Sequence, residues 1–247
     1  MNKYLLYIDI LGFKDAVVNN HNKVEIIYDH INNLNVHNHE AFATIVFSDT
    51  ILVYNKVDPK NDSEHQYLSM FSCEFAQDLL YRCIGEEIFF RAILDYGEFS
   101  HNKLKNIESY YGNSLIKCYM IEKKIQSIGL FITTEAKQYQ NIFKMAKFHD
   151  DLYFVFLQQN LERFHESYKI GIDDYNFYES TGMFSDMKKD AEILKEIYYM
   201  SKSSVDPNIR IKHLQYFDLY RSEFRKTIDT LEMNDFDVSK ILMMGRS

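Results

Sequence analysis

Two acids stand where this chain could do metal chemistry. Asp9 closes the apolar run Tyr4 to Ile8, and Asp49 lies in the polar break Ser48, Asp49, Thr50 between the apolar runs Ala41 to Phe47 and Ile51 to Tyr54. If the two strands are neighbours, both carboxylates reach one edge of a sheet. Magnesium takes one or two carboxylates and completes its oxygen shell with water and substrate phosphates, which is the supply such an edge offers. Two ions held there would lower the pKa of an attacking hydroxyl and neutralise a triphosphate with its leaving pyrophosphate. The turn Ile10, Leu11, Gly12, Phe13 suits the same chemistry, because a glycine lets backbone N–H groups approach phosphate oxygens and a helix starting just after it adds a favourable dipole. Either acid alone reads first as a loop solubiliser or helix cap. Only the pair points to a site.

The neighbouring polar residues each carry two readings. Arg91 sits inside an apolar strand, where a lone guanidinium must either face a ligand or pair with an acid such as Asp95 or Glu98. Lys117 either points toward phosphate or is a solvated helix lysine. Ser48 and Thr50 either read a base edge by hydrogen bonding or satisfy their own turn.

The elements that must position these residues follow from periodicity. Residues 3–9 read as a buried strand, and residues 14–35 as a helix broken near Asn19 and Asn20. The two runs around Asp49 read as a hairpin with the acid at or near its tip. Beyond the loop 57–63, Tyr67, Met70, Phe71, Phe75, Leu79 and Leu80 make a helical stripe, and a strand is predicted over Glu87 to Tyr96. A helix over 112–125 and a short strand at Leu130 to Ile132 complete the order βαββαβαβ. The hairpin within that alternation predicts an α+β fold whose mixed sheet has helices packed on it. Asp151 to Leu157 reads as one more strand. Residues 180–232 predict two long helices parted near Val205, Asp206 and Pro207. The organisation expected is a catalytic domain over 1–150 and a mostly helical C-terminal extension over 151–247.

Composition narrows the partners. A hydrophobic fraction of 46% with 19 Phe and 19 Tyr is enough for a sizeable core. The formal charge of -8 argues against DNA or RNA, whose nonspecific binding needs clustered Lys and Arg. A small polyanion still fits if a metal brings the compensating charge. Cys73, Cys83 and Cys118 are odd in number and widely spaced, which suggests neither a disulfide framework nor a zinc site. With no basic leader at its start and no ~18-residue apolar run, the sequence predicts a soluble cytoplasmic protein away from the membrane.

Other motifs carry less. His37 and His39 lack further ligands, no Gly-rich phosphate loop is present, and His149, Asp150 and Asp151 are adjacent residues that point different ways. Leu194, Ile197, Tyr198, Tyr199 and Met200 read as a packed helix face.

Four short segments, in order, resemble the class III nucleotide cyclases. Tyr7-Ile-Asp-Ile-Leu-Gly-Phe13 is similar to that family's opening metal motif, and Phe47-Ser-Asp-Thr50 to its second metal-binding hairpin. Phe90 to Glu98 (FRAILDYGE) resembles the following strand and Gly turn, and Tyr111 to Glu122 (YGNSLIKCYMIE) its Gly-led catalytic helix. The resemblance spans residues 4–135 and implies a ferredoxin-like mixed sheet. It also implies two Mg²⁺ or Mn²⁺ ions per site on Asp9, Asp49 and the Ile10 carbonyl, a nucleoside triphosphate substrate, and a head-to-tail homodimer with shared active sites.

The helix departs from the family pattern. Ile116 stands where the family commonly has an Asn that holds the ribose, and Met120 where it has the Arg that stabilises the transition state. Read by themselves, these are ordinary core residues four apart on a helix. Helix, tail and compact format are similar to the bacterial Pycsar pyrimidine cyclases, a branch serving antiphage defence, so UTP or CTP is the expected substrate and cyclic UMP or cyclic CMP the product. Arg91 is then the candidate for the missing cation. The alternatives are a catalytically inactive cyclase-like module that binds nucleotide or a partner protein, and a structural assembly protein built on the C-terminal helices.

Overall fold

A computed structural model describes residues 1–161 and 183–240. The chain divides into two compact units: Met1–Cys83 with Ile88–Ile125 and Gly129–Leu157, and Ile84–Glu87 with Gln126–Ile128 and Gln158–Ser247.

The first unit is built on a seven-stranded sheet. Its strands are β1 (Asn2–Ile10), β2 (Phe42–Phe47), β3 (Thr50–Asn55), β4 (Phe90–Glu98), β7 (Gly129–Thr133), β8 (Met145–His149) and β9 (Leu152–Val155), in the order β2-β3-β1-β4-β7-β9-β8. Only β4 and β7 pair in parallel, so the sheet is mixed as the interleaved hairpin required. A separate ribbon pairs β5 (Ser100–Lys103) with β6 (Glu108–Tyr111).

The helices explain why β1 is apolar without alternation. On one face lies α3 (Asp62–Arg82), whose His65 Nδ1 meets the Tyr4 hydroxyl at 3.0 Å. On the other lies α4 (Asn113–Glu122), whose Ser114 and Lys117 donate to Asp95 of β4. Tyr4 to Ile8 are therefore all buried, because successive side chains enter opposite covered layers. Between β1 and β2 run α1 (Phe13–Asn19) and α2 (His21–Asn32), with a 3₁₀ turn at Asn35–Asn38. The break foreseen near Asn19 and Asn20 falls at Asn20, whose side chain accepts from the Lys23 N–H and caps α2. A short α5 (Thr134–Lys137) follows β7.

Three expectations shift. The strand read over 87–96 begins at Phe90 instead. The ribbon β5–β6 and the edge strand β8 were not foreseen, being short and half exposed, so that no apolar alternation marks them. Among the described residues the pair of long C-terminal helices is three: α6 (Met183–Ser203), α7 (Pro207–Glu223) and α8 (Arg225–Met233). Pro207 opens α7 and Asp206 caps it, accepting from the Asn208 N–H at 2.8 Å, as the sequence break implied. Leu194, Ile197, Phe217, Ile228 and Leu231 are buried in the second unit, while Tyr199 of the same foreseen packed face stays half exposed and donates to Asp235. The part of the helical reading over 180–182, and of the extension over 162–182 and 241–247, lies outside the described residues.

Candidate functional site

The acids come together because β1 and β3 are antiparallel neighbours. Asp9 pairs with Thr50 in register, and the next backbone N–H along, Ile10, donates to the Asp49 carbonyl at 2.9 Å. Phe47 pairs with Thr50, so Ser48 and Asp49 alone form the hairpin turn. Ser48 takes the left-handed conformation, φ 55°, that a two-residue hairpin demands of its first central position. The Tyr28 hydroxyl of α2 donates to the Ser48 carbonyl at 3.2 Å and ties the tip down. Both acids remain partly exposed, as ions entering from solvent would need.

Tyr7, two residues before Asp9 and on the same strand face, reports the convergence. Burial raises the pKa of its phenol, and the charges of Asp9, Glu122 and Asp49 raise it further against a hydrogen bond with Thr50. A strand carboxylate, Asp9, and a turn carboxylate, Asp49, thus both bear on its charge. The sequence reading missed Tyr7, although its i, i+2 spacing to Asp9 placed it there.

Beside the acids, the turn 10–13 is held by the Leu11 N–H donating to the Phe89 carbonyl at 2.9 Å. Gly12 precedes α1 in the left-handed region at φ 75°, and a Cβ there would meet nothing within 4 Å, so the backbone is open to a ligand. Phe13 is buried edge-on to Tyr28, which anchors the turn. Since α1 has only seven residues, its dipole contribution is small.

Arg91 faces Asp9 across the β1–β4 pairing. Neither partner named from sequence, Asp95 or Glu98, holds it. Its Nη2 donates to Glu122 at the end of α4 and its Nη1 to the Ile125 carbonyl, with Asp9 Oδ2 at 3.8 Å. Arginine is long enough to leave its own strand and reach the helix above. Its Nε is buried without an acceptor among the described residues.

Asp95 has other partners. Only 2% exposed, it accepts from Ser114 Oγ at 2.7 Å, Thr133 Oγ1 at 2.6 Å and Lys117 Nζ at 2.9 Å. Lys117 also meets Glu135 at 2.7 Å. Burial opposes its charge, but the Glu135 and Asp95 carboxylates outweigh it and raise the lysine pKa. Its two readings meet a third, since the lysine fastens α4 to β4 and α5.

Gly112 has a specific cause. A Cβ there would sit 2.2 Å from the Glu98 carbonyl oxygen, at φ 148°, so only glycine lets α4 begin so close to β4. The face α4 presents outward is apolar. Ile116 is 62% exposed, Met120 50% and Tyr119 47%, which corrects the expectation that Ile116 and Met120 are core residues. Periodicity cannot tell an inward stripe from an outward one. A groove of about 540 Å³ runs between α4 and the β8–β9 turn, lined by Lys117, Met120, Lys124 and Phe148 among others, and neither Asp9 nor Asp49 lines it.

Donors of the right kind for a hard divalent cation are present: two carboxylates and nearby carbonyls, all oxygen. Among the described residues no group of three or more His, Cys, Asp or Glu is placed to hold a metal ion. His37 bonds the Ile31 carbonyl, and His39 packs among Phe42, Tyr67 and Phe71, so neither is a ligand candidate. All three cysteines are buried and none is in a disulfide. No helix of the described residues is long and apolar enough to cross a membrane.

No protein-family model matches the chain, and no curated protein matches it in sequence. Solved structures do. The monomeric guanylyl cyclase domain of the RhoGC fusion protein from the aquatic fungus Blastocladiella emersonii superposes with a TM-score of 0.50 at 15% identity, covering 62% of this chain and 94% of that one. A non-canonical dimeric form of that domain gives 0.49 at 14%, covering 62% and 95%. The adenylyl cyclase CyaB from P. aeruginosa gives 0.46 at 10%, covering 63% and 93%. The fold is that of the class III cyclases: a mixed seven-stranded sheet with helices packed on it, followed by C-terminal helices.

Proposed function

We propose that this chain is a nucleotide cyclase acting in the cytoplasm, converting a nucleoside triphosphate to a 3′,5′-cyclic nucleotide and pyrophosphate. The observation that carries the reading is the meeting of Asp9 and Asp49 beside the open Gly12 turn, on a cyclase fold. Asp9, Asp49 and the Ile10 carbonyl would hold two Mg²⁺ or Mn²⁺ ions, which supply charge neutralisation and activation of the ribose 3′-hydroxyl. In the reaction the 3′-oxygen bonds the α-phosphorus, the bond to the pyrophosphate oxygen breaks, and the hydroxyl proton passes to solvent. Backbone groups of Ile10, Leu11, Gly12 and Phe13 would cradle phosphate oxygens, with Ser48 and Thr50 at the base, while Lys117 would have to leave Asp95 and Glu135 to reach a phosphate. Arg91 supplies the fixed positive charge beside the acids.

The catalytic assignment, read from sequence over residues 1–150, goes with the first unit, whose sheet runs past that boundary through β9 to Leu157, and none of the residues assigned to the chemistry lies on the C-terminal helices. The apolar outward face of α4 supports a homodimer with shared sites, since Ile116, Tyr119 and Met120 gain by leaving water. A pyrimidine substrate, UTP or CTP, and a role in antiphage defence rest on the similarity of the α4 segment and the compact format to the Pycsar enzymes. The second reading, an inactive module that binds nucleotide or a partner, is favoured by the same two apolar residues in place of polar ones. Incubating the protein with each of the four nucleoside triphosphates and Mn²⁺ separates them. Cyclic nucleotide and pyrophosphate are expected with UTP or CTP and vanish in Asp9→Ala, while pyrophosphate from none of the four refutes the enzyme.

A further inference from the structure

We infer that Tyr28 is a positioning residue for Asp49: its hydroxyl grips the peptide that leads into that acid and holds the hairpin turn in one of the two forms open to it. The inference rests on the reading of Asp49 as a metal ligand.

A two-residue hairpin closes in either of two favoured turns. Type I′ sets φ positive at both central residues, and type II′ at the first alone. Ser48 is positive, φ 55°, and Asp49 is not, so this hairpin takes the second form. The residues themselves favour the first. Type II′ asks for glycine where Ser48 stands, and an aspartate in the other position tolerates the left-handed region that type I′ would require. A serine kept in a glycine's place carries backbone strain, which persists only where the surroundings impose it.

The contact that imposes it is a single side chain. The two turns differ by turning over the peptide between the central residues, whose carbonyl is that of Ser48. The Tyr28 hydroxyl donates to this carbonyl at 3.2 Å, a bond that the other form would break. The next carbonyl, that of Asp49, accepts from the Ile10 N–H at 2.9 Å. Both peptides flanking the Asp49 Cα are thereby held, and with them the direction in which its side chain leaves the backbone. Tyr28 can grip because its own place is fixed. Its ring stands edge-on to buried Phe13, with centroids 5.9 Å apart, and α2 is sunk into the core by Ile27 and Ile31. One phenol thus ties the hairpin tip to the residue that follows Gly12.

The test is titration of Mn²⁺ into the nucleotide-free full chain, with free Mn²⁺ read by electron paramagnetic resonance. Tyr28→Phe keeps the ring against Phe13 and removes only the hydroxyl. It is expected to weaken Mn²⁺ about fivefold, the factor by which one neutral hydrogen bond shifts a two-state equilibrium. Its melting temperature should stay within about 2 °C of wild type, because the lost bond is exposed. Adding Ser48→Gly to that variant is expected to restore wild-type affinity, since glycine takes the first position of a type II′ turn without strain. A purely structural Tyr28 predicts unchanged Mn²⁺ affinity, or a double variant as weak as the single one, and either result overturns the inference. Asp49→Asn separates the two levels. If it abolishes Mn²⁺ binding while Tyr28→Phe binds normally, only the positioning role falls; if it binds like wild type, the metal reading of Asp49 falls and the inference with it.

Discussion

The acid edge and helix α4 share one face of the first unit but divide polar and apolar character unevenly. At the edge, Asp9, Asp49, Thr50 and the Gly12 turn leave oxygen and backbone groups accessible beside one another, above the buried Tyr7. On α4 the polar side chains Ser114, Lys117 and Glu122 turn inward to Asp95, Glu135 and Arg91, while Ile116, Tyr119 and Met120 turn out. The edge offers carboxylates and open backbone to solvent. The helix uses its polar groups to fasten itself and offers solvent an apolar stripe.

The contrast breaks most sharply at Asp49. Asp49→Asn keeps the hairpin turn and removes one carboxylate charge, and turnover should fall at least about a thousandfold, as expected when a metal ligand of a phosphoryl-transfer site is lost. Its melting temperature should stay close to wild type, because the turn is partly exposed. Chromatography of nucleotide products beside a thermal melt checks both, and retained turnover would strip the edge of its role.

Next in size is Gly112→Ala. The new Cβ would overlap the Glu98 carbonyl and the Phe99 Cα in a backbone region side chains avoid, so α4 must move away from β4. The expected loss is about 3 kcal/mol, a fall in Tm of roughly 8 °C. Calorimetry measures it. An unshifted Tm would mean that the close approach of α4 is not what that glycine serves.

Ile116→Glu tests the outward stripe. If the stripe seals a contact between two copies, the substitution should weaken self-association about thirtyfold, the scale of one buried anchor at an interface. Sedimentation velocity across a dilution series reads this, with the melting of the dissociated chain unchanged. Unaltered association would leave the stripe without a partner in this protein.

These contrasts mark what the residues disclosed before any coordinates. The β1 run, the Asp49 hairpin and the break at Asn20 were legible because each is local: an unbroken apolar run, a polar gap between two runs, a capping asparagine. The partner of Arg91 was not, since Glu122 is 31 residues away and no local period links a strand residue to a helix end. Ile116 and Met120 were placed in the core because a four-residue step gives the shape of a face and not its direction. Tyr7 went unnoticed for the opposite reason: within a fully buried run, no contrast sets one position apart.

The smallest effect concerns Lys117, whose ammonium fastens the helix and which the proposed function would also turn to phosphate. Lys117→Met keeps the aliphatic stem and removes the bonds to Asp95 and Glu135. At neutral pH the variant should melt about 2 °C lower, the modest scale of a partly exposed ion pair. The sign of its pH dependence follows from the raised pKa. A lysine that holds its proton more tightly when folded stabilises fully below its unfolded pKa, and that contribution fades as pH climbs through the folded value. Buried tyrosines such as Tyr7, whose pKa is also raised, weaken both proteins in the same alkaline window. Absolute melting temperatures therefore fall for wild type and variant alike, and the informative quantity is their difference, which should close on passing above about pH 10.4. Paired melts from pH 7 to high pH follow it. A gap that stays constant would mean that the Lys117 stem, by packing, and not its charge, fastens α4 to β4.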